Sequence, residues 1–286
     1  MNAIKTTVLL AAITSLFLLI GFLTAGPTGL IIAFVGAALL NFFAYWSSDK
    51  LALRMAGARE VSMQEAPRLH SMIEEVAAQS GMPKPRVYIV ESATPNAFAT
   101  GRNPKHAAVA VTTGIMDLLD ERELRGVLGH ELGHVRNRDI LTSSIVATLA
   151  GAISMIAWMS LWFGGMGRGG RDNGYGGIIA LLAFLLAPIA AMMIQMGISR
   201  TREYAADRTG AEVTHDPEAL ASALEKLHRG VEQRPMEATP MAQSTAHLYI
   251  VNPFRGGGLS NLFSTHPPIE ERVKRLRDMA GTAALT

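Results

Sequence analysis

Three stretches of this chain carry no charged side chain at all: residues 6–48, 140–167 and 173–199. A bilayer hydrocarbon core is crossed by about 20 apolar residues in a helix. The first stretch is therefore long enough for two crossings, and each of the others for one. Gly26-Pro27-Thr28-Gly29 interrupts the first near its middle, where a tight helical hairpin needs a turn. The glycine-rich run Gly164–Gly177, which contains Arg168, Arg171 and Asp172, joins the other two. The pattern predicts four membrane spans in two hairpins. A cleaved signal peptide is the rival for the first, since Lys5 precedes the apolar run. That run exceeds the roughly 7–15 residues of a signal core and lacks a small-x-small cleavage site. A buried helical core is the rival for the second pair, and the length of the charge-free runs argues against it.

Composition narrows the function classes. The chain is 49% hydrophobic and only 17% charged, and its mean hydropathy is positive. A net charge of +2, without a block of Lys and Arg, argues against a nucleic-acid partner. With no cysteine, disulfides and thiolate metal sites are excluded. Lys5, Lys50, Arg54, Arg136, Arg138, Arg200 and Arg202 fall on one side of the four spans, Arg168 and Arg171 on the other. The positive-inside rule makes the first side cytoplasmic, with both termini.

On that side lies Gly129-His130-Glu131-Leu132-Gly133-His134. Histidines four apart share one helical face, so both imidazoles reach one ion, and Glu131 on the flank can serve as a general base toward water. The bland alternative is two satisfied core histidines. The context favours the metal: Asp120 and Glu123 form a capping box, and Leu124, Val127, Leu128, Leu132 and Val135 recur at helical spacing. A zinc ion is expected here, one per chain. From His134 to Ile140 is about 9 Å along a continuous helix, so the site should lie close to the membrane surface.

A hydrolytic zinc site takes three protein ligands and leaves a position for water. After the last uncharged run comes Arg202-Glu203-Tyr204-Ala205-Ala206-Asp207. Glu203 can be the carboxylate ligand, and Asp207, four residues on, can accept the ring N–H of one zinc histidine. A solvated acidic face is the alternative. The N-terminal hairpin, His130-Glu131-x-x-His134, the second hairpin and Arg202-Glu203-Tyr204-x-x-Asp207 together resemble the HtpX family of bacterial membrane zinc endopeptidases. These in turn are similar to the CAAX prenyl protease family. The resemblance covers nearly the whole chain. It implies zinc ligands at His130, His134 and Glu203 and catalysis by Glu131. It also implies a substrate-backbone contact at Asn96 (in Asn96-Ala97-Phe98) and an oxyanion-steadying role for His266 (in Thr265-His266-Pro267-Pro268). The implied role is removal of damaged membrane proteins or unfolded polypeptides at the bacterial inner membrane under envelope or heat stress. Two rivals stand: a narrow processing protease of CAAX type, and a non-catalytic zinc-binding membrane adaptor or sensor.

The fold class expected is a mainly α membrane protein: four transmembrane helices plus a cytoplasmic, mostly helical α+β zinc-metalloprotease domain with a small sheet. Its divisions are the hairpin 1–48, a first catalytic part 49–139, the second hairpin 140–199, and a second catalytic part 200–286. Within them, Ala66–Gln79 and Pro217–Arg229 read as amphipathic helices, Arg86–Val90 and His106–Thr112 as strands, and Thr94–Gly101 as part of the loop between these. A strand beside the zinc helix could offer an open edge to an extended peptide, or be an ordinary edge strand. Residues 230–262 read as a mobile cover over the cleft or as local disorder, and His247 within them as a surface histidine or one that approaches the metal. In the last helix Ile269, Val273 and Leu276 mark the packed face, while Glu270, Glu271, Arg272, Lys274, Arg275 and Arg277 read as a solvated mixed-charge face.

Overall fold

A computed structural model describes residues 2–146, 200–254 and 267–283. The second hairpin falls almost wholly outside the described residues, as do the glycine-rich connection and His266. Helical residues run from Asn2 to Met55 as α1. Gly26 breaks this run with φ of 58°, a left-handed conformation open to glycine, just before Pro27. Asn41 Nδ2 donates to Thr14 Oγ1 at 2.8 Å. A straight helix would hold these residues about 40 Å apart, so the two halves lie side by side as a hairpin. The segment Gly26–Met55 is long and apolar enough to span a bilayer, with mean hydropathy 1.9 and only 17% of its most apolar window buried. Among the described residues, all the large exposed hydrophobic side chains but Met63 and Leu118 lie on this hairpin, Phe34, Phe42, Phe43 and Trp46 included. Water would not tolerate such a face; lipid does.

The α1 helix does not stop at Asp49. Its last turns bury Ala52 and Leu53 against Tyr88, Val90, Phe98 and Tyr249, so the membrane helix ends as part of the globular core. Arg86 reinforces the join through Asp49 at 2.8 Å. Four strands follow in the order β1-β2-β4-β3. They are β1 Ala58–Glu60, β2 Arg86–Val90, β3 Ala97–Gly101 and β4 Ala107–Thr112. The β2 and β4 strands are parallel, and β1 and β3 flank them antiparallel. The stretch expected as a loop is thus partly the edge strand β3. Its sequence Ala-Phe-Ala-Thr-Gly has neither alternation nor a run of β-branched residues, because every residue is buried. The order pairs β4 on both sides and leaves β3 at the edge, beside the helix of His130 and His134, so the edge strand expected there is β3.

Helices pack on one face of this sheet: α2 Pro67–Gln79, α3 Thr113–Leu118, α4 Glu121–Arg136, α5 Arg200–Thr214, α6 Pro217–Gln233 and α8 Ile269–Ala283, while the short helix α7 Pro240–Thr245 packs against α1. The α4 N-terminus carries the expected capping box: Asp120 Oδ1 accepts from the Glu123 amide at 2.9 Å, and Glu123 Oε2 from the Asp120 amide at 3.0 Å. Such caps contribute about 1 kcal/mol. Glu123 also accepts from Ser222 Oγ and Lys226 Nζ, both at 2.7 Å, which fastens α4 to α6. The packed faces of α2, α4 and α6 share one core with Val87, Val109 and Val111 of the sheet.

The closest helix approach sets up the site. A Cβ added at Gly210 of α5 would lie 2.6 Å from the His130 amide nitrogen, and one at Gly133 of α4 would lie 3.0 Å from the Ala206 carbonyl. Backbone meets backbone here without side chains between, so α5 lies directly against the His130–His134 face of α4.

Candidate metal centre

That approach brings Glu203 of α5 between the two histidines of α4. Glu203 Oε2 is 3.7 Å from His130 Nε2, and Glu203 Oε1 is 3.4 Å from His134 Nε2. One ligand atom from each of the three residues lies within 4.8 Å of the others. A tetrahedral ion with bonds of about 2.0–2.1 Å sets its ligands roughly 3.3 Å apart, so a small contraction closes the three around one ion. The His130 Nε2 atom is buried and, among the described residues, has no hydrogen-bond partner. A lone pair held dry and aimed at a carboxylate is costly unless something electrophilic shares it. The donor set suits a divalent metal of the zinc type.

Each histidine is held from behind by a carboxylate. His130 Nδ1 meets Asp207 Oδ1 at 2.8 Å, the contact read from the sequence. His134 Nδ1 meets Asp139 Oδ2 at 3.2 Å, a contact the sequence reading missed. The chain turns between the two, with Arg138 at φ of 58°, and a new helix starts at 140. So the α4 helix does not run on into the second uncharged stretch, and Asp139 is turned back toward His134.

Asp207 is gripped in turn by Arg272. The Arg272 side chain is fully buried, which corrects its placement on a solvated face. Its position is i+3 from Ile269 and i−4 from Leu276, inside the packed stripe. That spacing was legible; the charge hid it.

Charges in the cleft shift the protonation of each group. Burial drives His130 down to about 4, against the pull of Asp207. Burial would also lower His134, but Glu203, Asp139 and Glu131 together outweigh it and raise it to about 9. Glu131 rises to about 7, mainly through burial, with Glu203 adding to the rise and His134 and the Ala99 amide opposing it. Asp207 falls to about 2, because Arg272 and His130 overcome its burial.

The Ala99 amide places Glu131 between α4 and the outer edge of β3. That edge is engaged at three further points. Ala97 O accepts from the Ile250 amide at 3.1 Å. The Gly101 amide donates to Ser144 Oγ at 3.3 Å, and Ser144 Oγ meets Thr100 Oγ1 at 2.6 Å.

Asn96 is wholly buried: its Nδ2 donates to Val251 O at 2.7 Å, and its Oδ1 accepts from the Val251 amide at 3.3 Å. It thus reads a peptide backbone in both directions, and the backbone is the chain's own. Of 230–262, the portion Leu248–Val251 is buried across the cleft, and the cover is built rather than structureless there. His247 is buried too, neither a surface histidine nor one of the three clustered groups. It lines the cleft and bonds Ser143 O at 3.0 Å through Nε2.

The model of peptidase family M48 matches residues 63–280. A protein described as "Protease HtpX homolog" from Persephonella marina (strain DSM 14350 / EX-H1) is 57% identical over 282 residues, covering 98% of either chain. Another of that description, from Ralstonia pickettii (strain 12J), is 54% identical over 281 residues, again 98% of either chain. The crystal structure of S. mikatae Ste24p is similar in fold, with a TM-score of 0.50 at 18% identity over 96% of this chain. The chain spans 65% of the length of that structure.

Proposed function

The chain belongs to peptidase family M48, among the HtpX proteases, and from that membership and the geometry of the cleft we propose that it is an integral-membrane zinc endopeptidase. That it is a membrane-associated metalloprotease follows from the family and from the lipid-suited helix Gly26–Met55. The finer reading rests on one observation: His130, His134 and Glu203 converge while Glu131 lines the same cleft outside their cluster. A site used only for structure has no need of that fourth group, which weighs against the adaptor reading.

His130, His134 and Glu203 would hold the zinc. When bound, the metal supplies Lewis acidity toward the scissile carbonyl and lowers the pKa of a water toward about 7. Glu131 takes the proton from the attacking water and delivers it to the leaving amine. In the metal-free cleft burial raises the Glu131 carboxyl above its ordinary value, the direction a group that takes and returns a proton near neutral pH requires. Asp207 and Asp139 keep the histidine Nδ1 atoms protonated, so both Nε2 atoms, which face Glu203, would be the ones to hold a metal. Asn96 is suited to grip a substrate backbone as it grips Val251, and His266 is assigned the developing oxyanion by its motif.

The substrates we assign are membrane proteins and unfolded polypeptides, removed under envelope or heat stress at the bacterial inner membrane. The cleft supports this by its place, a few residues from the helix that begins at 140 and beside the end of α1. The basic residues flanking the spans support a cytoplasmic catalytic domain, with the second hairpin at 140–199 completing four spans.

The test measures metal content and cleavage of an unfolded membrane substrate by detergent-purified wild type, Glu131→Gln and Glu203→Ala. Wild type should cut; Glu131→Gln should keep zinc and lose roughly a hundredfold to ten-thousandfold in rate; Glu203→Ala should lose zinc. Near wild-type cleavage by Glu131→Gln would sink the assignment. Many cut sites in unfolded loops support quality control, whereas a single defined site would mean processing.

A further inference from the structure

We propose that Arg272 is a positioning residue of the metal centre, which acts through Asp207 to fix the orientation and tautomer of His130. Three of its nitrogens are committed. Nε donates to Asp207 Oδ2 at 2.8 Å and Nη2 to Asp207 Oδ1 at 2.7 Å, while Nη1 donates to the Ile250 carbonyl at 2.9 Å. This two-pronged grip sets the plane of the Asp207 carboxylate, and the third bond stops the guanidinium from swinging.

Asp207 Oδ1 then faces both Arg272 Nη2 and His130 Nδ1. An ionised carboxylate only accepts, so His130 Nδ1 must donate to it. The 3.4 Å approach of Arg272 Nη2 to His130 Nδ1 is thus a contact of two donors sharing one oxygen. With Nδ1 committed, the lone pair of His130 lies at Nε2, facing Glu203. Arg272 Nη1 is also 3.9 Å from Glu203 Oε2, so one cation steadies the carboxylates on both sides of His130.

Burying an arginine is costly unless it is fully engaged. A leucine at 272 would continue the packed stripe of α8, between Ile269 and Leu276, without that cost. The charge is therefore retained for what it holds, and it holds the support of a metal ligand.

The inference rests on the metalloprotease reading above. Its test uses the full-length protein in detergent, with zinc affinity and the visible spectrum of the cobalt-substituted site as readouts. The variants are Arg272→Lys, Arg272→Met, Asp207→Asn and the double Arg272→Met/Asp207→Asn. Arg272→Met should bind zinc roughly 10–100-fold more weakly and alter the cobalt spectrum. Lysine, which keeps the charge but reaches only one oxygen, should restore part of the affinity. The double variant should bind no more weakly than Asp207→Asn alone, because the two act in series.

Wild-type affinity and spectrum in Arg272→Met would overturn the proposal. So would single losses that multiply in the double variant. Should Arg272→Met fail to fold, the lysine variant decides: unchanged affinity and spectrum reject the role, and a partial loss supports it. Failure of the wild type itself to take up metal would instead overturn the reading on which this one stands.

Discussion

The two histidines of the metal centre are supported by the same parts in the same order, yet the two arms differ. In the inner arm, His130 is 0% exposed and Asp207 stands 2.8 Å behind it, gripped by Arg272 at 2.7 Å. In the outer arm, the His134 side chain is 17% exposed, Asp139 stands at 3.2 Å, and Arg202 comes within 4.0 Å of Asp139. The inner arm joins three helices, α4, α5 and α8, in the middle of the fold. The outer arm is built from the end of α4, the first turn of α5 and the start of the helix at 140, where the second uncharged stretch begins.

The difference teaches where the site is rigid. A buried pair in which every donor is used has one arrangement, while a longer contact at the margin of the fold tolerates several. Protonation follows the same division. His130, sealed and pushed down to about 4, is neutral and ready for a metal at any physiological pH; His134, raised to about 9, holds a proton that a metal must displace.

Gly210→Ala should give the largest effect, because it strikes the inner arm at its backbone. The added methyl would lie 2.6 Å from the His130 amide, and neither helix has a flexible side chain there to yield. Overpacking of this kind costs about 1–3 kcal/mol or more, and the displacement carries Glu203 away from His130. Zinc affinity should fall roughly 10–100-fold, read by competition with a chromophoric chelator. The matching change at Gly133, with a 3.0 Å approach to the Ala206 carbonyl, should cost less. Equal losses at the two glycines would break the distinction between inner and outer arms.

The carboxylates test it next. Asp207→Ala should weaken zinc binding about 10–100-fold, within the usual range for such supports, and Asp139→Ala should fall at or below the lower end. If Asp139→Ala proved the worse, exposure and bond length would be poor guides to which arm matters.

Proton release sharpens the contrast by about tenfold per pH unit. A metal competes with the proton on His134, so apparent zinc affinity should rise about tenfold per unit from pH 6 upward and level off near pH 9. Calorimetry in buffers of different ionisation enthalpy should count at least one proton released at pH 7, that of His134 together with the fraction Glu131 carries in the metal-free cleft. Asp139→Asn removes one of the groups that raise His134, and should shift the levelling-off to lower pH. Asp207→Asn should leave the proton count unchanged, since His130 is already neutral.

How much of this was legible follows the same line. Residues sharing one helix were readable from spacing: His130 with His134, Glu203 with Asp207, and the capping box of Asp120 and Glu123. The hairpin turn at Gly26 was readable too, from glycine and proline interrupting an apolar run. Contacts across elements were harder. Asp139 was hidden because it supports His134 only after the chain turns at Arg138. Arg272 sat at a core spacing, but a charged residue there reads as solvated until its partner Asp207 is seen. The β3 strand and the Leu248–Val251 cover left no local signal, since small or fully buried residues show no alternation.

The smallest effect expected isolates the outer arm from the metal. Ser144 lies one turn into the helix that follows Asp139, and its hydroxyl donates to Ile140 O at 2.7 Å while serving Thr100 and the Gly101 amide of β3. Alanine at 144 keeps the helix but removes the tie between that helix and the edge strand. A lost bond of this kind costs about 1 kcal/mol, which should speed local exchange of the Gly101 amide roughly fivefold. Since His130, Asp207 and Arg272 make no contact with this tie, zinc affinity should stay within about twofold. A large loss of zinc from Ser144→Ala would mean that the edge strand and the metal centre move as one, and that the outer arm is as rigid as the inner.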